Sequence, residues 1–171
     1  MLKTTIELAR KKNKLVIVDP KKSDFSPYKG ANIITPNFKE LLEASKIKKI
    51  LQNEDDPNMV VRLSKELLKK YNFDAIVTTR SSDGISIVDK KNASLHLPSK
   101  AQEVFDVSGA GDTVIAYIAS GVANGRSLFN ATEIANDAAG ISVGKFGTTV
   151  VNEKDLLNSC LLYTSDAADE S

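Results

Sequence analysis

The stretch DVSGAGDTVIAYIASG, residues 106–121, places a turn of small residues directly before an apolar helix. Backbone N–H groups at a helix N-terminus are unpaired and carry the positive end of the helix dipole, so they attract anions. Gly109 and Gly111 leave those N–H groups uncovered. Asp112, where the helix begins, is then placed to face a hydroxyl, which suits phosphoryl transfer because orientation matters more there than base strength. A plain tight turn followed by a first-turn acid is the alternative interpretation of this stretch alone.

Spacing and composition exclude several other classes of protein. No GxxxxGK(S/T) motif occurs, and Val114 occupies the third glycine position of a dinucleotide-binding GxGxxG motif. The net charge of +1 creates no strong field for nucleic acid or an anionic membrane. No apolar run approaches the roughly 18 residues of a membrane span, and the single cysteine excludes an internal disulfide. We therefore expect a cytoplasmic protein whose partners are small molecules, with no nucleic acid and no membrane.

Apolar runs that alternate with helical patterns predict an α/β fold, a three-layer sheet with helices on both faces. Continuous runs such as Leu15–Val18 are typical of strands buried on both faces. Asn37 and Glu40 have the spacing of a helix capping box, and Gly121 and Gly125 mark the predicted end of the helix after the turn. The predicted helices are 2–11, 37–44, 57–71, 112–124 and 127–143. The predicted strands are 15–18, 32–35, 75–79 and 148–151, with a hairpin of 85–88 and 94–97.

The whole run from Asp106 to Thr113, with the small apolar helix after it, resembles the second signature of the ribokinase-like (PfkB) carbohydrate kinases. The resemblance implies that Asp112 is the catalytic base and that Asp106 and Ser108 help to hold a monovalent cation, with K⁺ as a candidate. It also implies a ribokinase-like fold, of which this chain would be the C-terminal half. The family's anion hole matches four consecutive backbone amides: Gly109, Ala110, Gly111 and Asp112.

Other segments extend the resemblance to the ATP and Mg²⁺ sites. TPNFKE matches the family's Asn-x-x-Glu motif through Asn37 and Glu40, which in the family serve Mg²⁺ and the phosphates through water. The capping box and this role are compatible. Asn136 matches a position near the adenine, and residues 144–149 match a loop that borders the nucleotide and cation sites. The segment TTRSSDG matches the strand end that lies along the nucleotide, with three predicted binding residues: Thr78, Arg80 and Gly84.

One branch of the family is more similar than the rest. DPKKSDFSPYKGANIITPNFKE, HLPSKAQEVFDVSGAGDTV and NDAAGISVGKFGTTVV resemble the kinase domain of bacterial D-glycero-β-D-manno-heptose 7-phosphate kinases, often fused to an adenylyltransferase. That branch has Gly where this chain has Lys22 and Thr where it has Ser108, so a hydroxyl is kept at the cation position. The resemblance implies ATP-dependent phosphorylation of the heptose 7-phosphate at its anomeric oxygen, for the ADP-heptose of the lipopolysaccharide core. The alternatives are another sugar kinase of this fold and a fragment that only binds nucleotide.

The resemblance covers nearly all of residues 1–158, which we expect to be one portion of a kinase domain. Kinases of this family are about twice as long as this chain, and their N-terminal half carries the Gly-Gly sugar-binding region. We therefore expect the nucleotide-binding half, inactive alone, and leave open a homodimer and a fused adenylyltransferase. The C-terminal SCLLYTSDAADES, residues 159–171, resembles a translated sequencing adapter and is predicted to be a non-native tail, with an ordinary acidic terminus as the alternative.

Two further residues have an ordinary and a functional interpretation. His96 is the only histidine, and its place in the predicted hairpin favours a surface or partly satisfied side chain. Lys21 follows Asp19 and Pro20 at a strand end, where α/β sheets bind ligands. A phosphate-binding lysine and a solvated loop lysine both fit that position.

Overall fold

The computed structural model describes residues 1–46, 57–101 and 103–158. They divide into two compact units, one formed by the described residues up to Pro98 and the other by those from Ser99 onward. The predicted tail, 159–171, lies outside the described residues. Within the described residues, the helices are all too short or too polar to span a membrane.

The first unit holds a mixed sheet of five strands, whose order in the sheet is β1 (Ile17–Val18), β2 (Ile33–Ile34), β3 (Ala75–Thr79), β4 (Ile85–Asp89) and β5 (Ser94–Leu97). The first three strands are parallel, and β4 and β5 are antiparallel neighbours, which confirms the α/β class and the hairpin. The carboxyl ends of β1, β2 and β3 therefore meet at one edge of the sheet. The α-helices described in this unit are α1 (Leu2–Lys11), α2 (Phe38–Ser45) and α3 (Pro57–Tyr71).

Helix α3 supplies the largest part of the first unit's apolar core. Its side chains at positions 59, 63, 67 and 71 are buried, as the i, i+4 pattern of the sequence predicts. They belong to the same core cluster as Ile34, Ile76 and Val88, one residue from each of β2, β3 and β4. Burial of these side chains is the main force that holds the helix on the sheet.

Asp74, just before β3, connects three separate segments of the first unit. One carboxylate oxygen accepts hydrogen bonds from Arg10 (2.8 Å) and Asn32 (2.7 Å), and the other accepts one from Lys90 (2.7 Å). Burial acts to raise the pKa of Asp74, but the hydrogen bonds from Lys90 and Asn32 and the charge of Arg10 outweigh it. The pKa of this carboxyl therefore lies below its ordinary value.

This lowered pKa predicts a loss of stability in acid. In the unfolded chain the pKa of Asp74 is about 3.9, so its contribution to the free energy of unfolding is complete above that pH. This contribution is lost as the pH falls through the lower pKa of the folded state. We expect Asp74→Asn to reduce the free energy of unfolding at pH 7 by about 1–2 kcal/mol, because its charged hydrogen bonds are lost. The loss is no larger because the side chain is 30% exposed. Urea unfolding between pH 2.5 and 7 measures this, with the exposed Glu66→Gln as the control. Equal pH dependence in Asp74→Asn and the unsubstituted chain would contradict it.

The second unit is built on two helices, α4 (Ala110–Ala123) and α5 (Leu128–Val143). Gly121 lies inside α4, so the prediction that it marks the helix end is wrong. A Cβ at Gly121 would lie 2.7 Å from the Cβ of Ala131, and this close approach of α4 to α5 requires a residue without a side chain. Gly125, with φ of 82°, follows the end of α4, and the Ser127 hydroxyl accepts the Asn130 N–H at the start of α5.

In the first unit, β1 and β2 are two residues each, shorter than the predicted strands 15–18 and 32–35. Two further differences from the sequence prediction lie in the second unit. Helix α4 begins at Ala110, two residues before the predicted start, because the turn residues already continue into helical backbone. The strand predicted at 148–151 is wrong, since no described strand pairs with these residues. Instead the Val151 carbonyl accepts a hydrogen bond from the Tyr117 hydroxyl (2.8 Å), and Val150 is exposed. These residues favour a β-strand, but the segment stays irregular because no described strand pairs with it.

Candidate functional site

The turn before α4 has the backbone that an anion-binding turn requires. Gly109 is the residue that caps the helix, with φ of 80° and ψ of 0°, in the left-handed region that favours glycine. Asp112 follows in the first turn of α4, and both Gly111 and Asp112 are exposed. The local sequence thus positions an accessible carboxylate three residues after a left-handed glycine.

Three of the four amides predicted to form an anion hole are available for a ligand. The N–H groups of Gly109, Gly111 and Asp112 have no hydrogen-bond acceptor within the described part of the chain. The N–H of Ala110 donates to the Val107 carbonyl at 3.3 Å, so it is already engaged. Unpaired N–H groups at the positive end of a helix dipole are suited to hold phosphate oxygens.

Asp106 is tied into the same turn. Its Oδ1 accepts the Ser108 N–H at 2.8 Å. The Ser108 hydroxyl and backbone N–H, together with the Gly147 N–H, hold the pKa of Asp106 below its ordinary value. An ionised carboxylate beside a hydroxyl is an oxygen donor set that suits a hard cation, so these residues fit the predicted monovalent cation site.

The loop after α5 lies against the turn, a contact that the local sequence pattern does not reveal. The Cγ2 of Thr148 is 2.7 Å from where a Cβ on Gly109 would stand. The N–H groups of Phe105 and Asp106 both donate to the Val143 carbonyl, at 2.8 and 3.2 Å, which fixes the approach to the turn. Residues 144–149 therefore border the turn, while Asn136 is buried within α5.

In the first unit, the predicted magnesium residues lie at the carboxyl edge of the parallel strands. The capping box is confirmed: Asn37 Oδ1 accepts the Glu40 N–H, and Glu40 Oε2 accepts the Asn37 N–H, both at 2.8 Å. Asn37 also forms a parallel bridge with Thr79, the last residue of β3. Burial raises the pKa of the Glu40 carboxyl, with the charge of Asp19 acting in the same direction.

The chemistry of this edge fits a magnesium ion that is held largely by water and phosphate. Asn37 and Glu40 both offer oxygen atoms, the ligands that Mg²⁺ prefers. Residues 1–46, 57–101 and 103–158 contain no cluster of three His, Cys, Asp or Glu side chains that could enclose a metal ion. Mg²⁺ commonly binds through one or two protein ligands plus substrate phosphates, so an enclosing cage is not needed.

The segment from Thr78 to Gly84 is a tight loop after β3. The Arg80 N–H donates to the Gly84 carbonyl (2.8 Å), and the Arg80 guanidinium donates to the Asp83 carbonyl (2.7 Å). Gly84 has φ of 82° and ψ of −134°, a conformation that is open mainly to glycine. The side chain of Thr78 is fully buried and Arg80 is 9% exposed, so a nucleotide would meet this loop mainly through its backbone.

His96 has a structural role next to this loop. Its Nδ1 is 2.7 Å from the Ser86 hydroxyl, and these two residues are register partners on β5 and β4. Burial, and secondarily the charge of Arg80, lower the pKa of His96. The histidine is therefore partly buried and hydrogen-bonded, in agreement with the sequence interpretation.

Solved structures share this fold. The chain is similar to ribokinase from Thermotoga maritima, with a TM-score of 0.76 and 22% identity over 94% of this chain and 53% of that one. It is also similar to phosphofructokinase-2 from Escherichia coli in complex with potassium, with a TM-score of 0.79 and 20% identity over 95% of this chain and 52% of that one. The fold is thus the α/β fold of the ribokinase-like kinases.

Sequence comparison gives the family. The profile of the pfkB family of carbohydrate kinases matches residues 1–155, and the chain belongs to this family. It is 44% identical over 162 residues to the bifunctional protein HldE of Shewanella baltica strain OS185, covering 95% of this chain and 33% of that protein. It is 45% identical over 152 residues to the HldE of Photobacterium profundum, covering 88% and 30%. The chain therefore spans about a third of the length of these curated relatives and about half of the solved structures.

Proposed function

We propose that this chain is the nucleotide-binding part of an ATP-dependent sugar kinase, whose substrate is D-glycero-β-D-manno-heptose 7-phosphate. The product is the 1,7-bisphosphate, a precursor of ADP-heptose. The observation that carries the proposal is the turn before α4, where the left-handed Gly109, Gly111 and an exposed Asp112 have backbone N–H groups without an acceptor in the described residues. The identity to HldE proteins supports the heptose as the sugar.

In this proposal Asp112 accepts the proton of the anomeric hydroxyl, and the hydroxyl oxygen attacks the γ-phosphorus of ATP while ADP leaves. The N–H groups of Gly109, Gly111 and Asp112 stabilise the charge that builds on the transferred phosphoryl oxygens. Asp106 and Ser108 hold a monovalent cation such as K⁺ beside the turn.

In the first unit, Asn37 and Glu40 hold Mg²⁺ through water. The ion would supply positive charge that neutralises the phosphates. The loop after β3 is proposed to contact the nucleotide through Thr78, Arg80 and Gly84. Asn136 is proposed to lie near the adenine, as the family resemblance implies.

A substrate panel tests the sugar. We expect the protein expressed from its complete reading frame to convert ATP and the heptose 7-phosphate to ADP and the 1,7-bisphosphate. Its kcat/KM should exceed that for ribose or fructose 6-phosphate by about 10²-fold or more, because a pocket built for the heptose hydroxyls leaves polar groups unpaired with other sugars. ³¹P NMR of the product identifies the position that is phosphorylated.

The outcomes of the panel separate the alternatives. A clear preference for another sugar would replace the heptose and keep the kinase. Nucleotide binding without turnover of any sugar would favour a non-catalytic nucleotide-binding protein. The 171-residue chain serves as the comparison, and we expect no turnover from it because it spans about a third of its curated relatives.

A further inference from the structure

Asp19 and Lys21 lie directly after β1, at the carboxyl edge of the parallel strands. This edge also carries Asn37, which bridges to the end of β3. Ligands of open α/β sheets bind at the carboxyl ends of the strands. The first unit therefore places the positively charged Lys21 at the edge where the proposed function requires nucleotide phosphates.

Lys21 makes one contact through its ammonium and one through its backbone N–H. Its Nζ forms an ion pair of 2.5 Å with Asp19 Oδ2, and its backbone N–H donates to the Tyr28 hydroxyl at 3.4 Å. Tyr28 is buried and packs against Phe25, with ring centroids 6.4 Å apart. The Lys21 side chain is nevertheless 75% exposed, against 24% for Asp19. The ammonium is thus paired with Asp19 while most of the lysine side chain is exposed to solvent.

The charges around Lys21 explain why a phosphate would need it. The charge of Asp19 acts to raise the pKa of the Glu40 carboxyl and the charge of Lys21 acts to lower it, so Asp19 and Lys21 both lie near Glu40 at this edge. A phosphate that approached two carboxylates alone would be repelled. An ammonium has three N–H donors, so it can keep its bond to Asp19 and donate a second one to a phosphate oxygen.

From these contacts we infer that the Lys21 ammonium binds a phosphate oxygen of the nucleotide and that Asp19 is the residue that positions it. The inference rests on the proposed function, to which it adds a residue that the sequence resemblance does not assign. A phosphate group of the sugar offers the same chemistry, so the experiment has to separate the two sources.

Calorimetric titration of the 171-residue chain tests the inference. We expect Lys21→Ala to weaken the binding of ATP and ADP by about 10- to 100-fold, the range of a hydrogen bond to a charged group, and to leave adenosine binding unchanged. Lys21→Arg should recover part of the affinity. The neighbouring Lys22→Ala is the matched control, because Lys22 is also exposed to solvent and forms no ion pair with the described residues. Thermal unfolding confirms that each variant is folded.

A double-mutant cycle tests the role of Asp19. Asp19→Asn should weaken ATP binding in the unsubstituted chain and have no further effect in Lys21→Ala, because it acts only through the lysine. Additive effects of the two substitutions would contradict that role. Asp19→Glu should keep part of the ATP affinity, which a purely structural aspartate would not predict.

Each remaining outcome decides between the inference and the proposed function. If the chain binds ATP and Lys21→Ala binds it equally well, the inference is overturned and the proposed function stands. If Lys21→Ala loses affinity for a sugar phosphate but not for ATP, the phosphate that Lys21 binds belongs to the sugar and not to the nucleotide. If the unsubstituted chain binds neither ATP nor ADP, both the inference and the nucleotide-binding role fail.

Discussion

Replacing Asp112 with asparagine is expected to lower kcat of the complete protein by about 10²- to 10⁴-fold, the contribution of a positioned general base. Asparagine has nearly the same shape, but its amide cannot accept the proton of the sugar hydroxyl. Asp112 lies in the first turn of α4 and is exposed, so the substitution leaves the described core untouched. We therefore expect the KM for ATP to change by less than about threefold, since the loss falls on the transition state.

The control for Asp112→Asn is Glu133→Gln, which removes an exposed acid from α5 in the same unit. It should keep the rate of the unsubstituted protein. The rates are measured as ADP release with the heptose 7-phosphate, and single-turnover mixing separates chemistry from product release. An Asp112→Asn protein with more than a third of the original kcat would remove Asp112 from the role of base and leave it as a first-turn acid.

The elements that the sequence predicts well are those that local physics determines. The i, i+4 stripe of α3 is visible in the sequence because burial requires one apolar face. The capping box of Asn37 and Glu40 is visible because both partners lie within one turn of helix. The small-residue turn at 109–112 is visible for the same reason, since a left-handed backbone selects glycine.

The features that the sequence does not reveal depend on contacts between distant residues. Gly121 looks like a helix terminator, but it lies inside α4, where the close approach of Ala131 ten positions later leaves no room for a side chain. Residues 148–151 have the composition of a strand, yet no described strand pairs with them. Two further features depend on the folded chain and not on the spacing of residues in the sequence. Thr148 contacts Gly109, and Lys21 lies near Glu40.

Gly109→Ala is expected to abolish most of the function of the turn. An alanine at φ of 80° is strained by about 1–2 kcal/mol, and its Cβ would meet the Thr148 methyl at 2.7 Å. The backbone relieves both by rotating toward negative φ, which turns the N–H groups of Gly109 and Gly111 away from the ligand. We expect ATP affinity of the 171-residue chain to fall at least about tenfold. In the complete protein, kcat should fall about 10²-fold, the effect of losing one donor to a developing oxyanion.

Gly125→Ala is the matched control for this prediction. Gly125 has φ of 82°, almost the value at Gly109, but nothing lies within 4 Å of the position of its Cβ. It should lose a similar amount of stability and keep ATP affinity, so equal losses of affinity would show that general destabilisation explains both. Adding Thr148→Ser to Gly109→Ala removes the methyl contact but leaves the strained backbone. We expect it to recover ATP affinity by no more than a few-fold, because the left-handed conformation sets the direction of the N–H groups. Full recovery would show that the contact with Thr148, and not the backbone conformation, is what requires glycine at position 109.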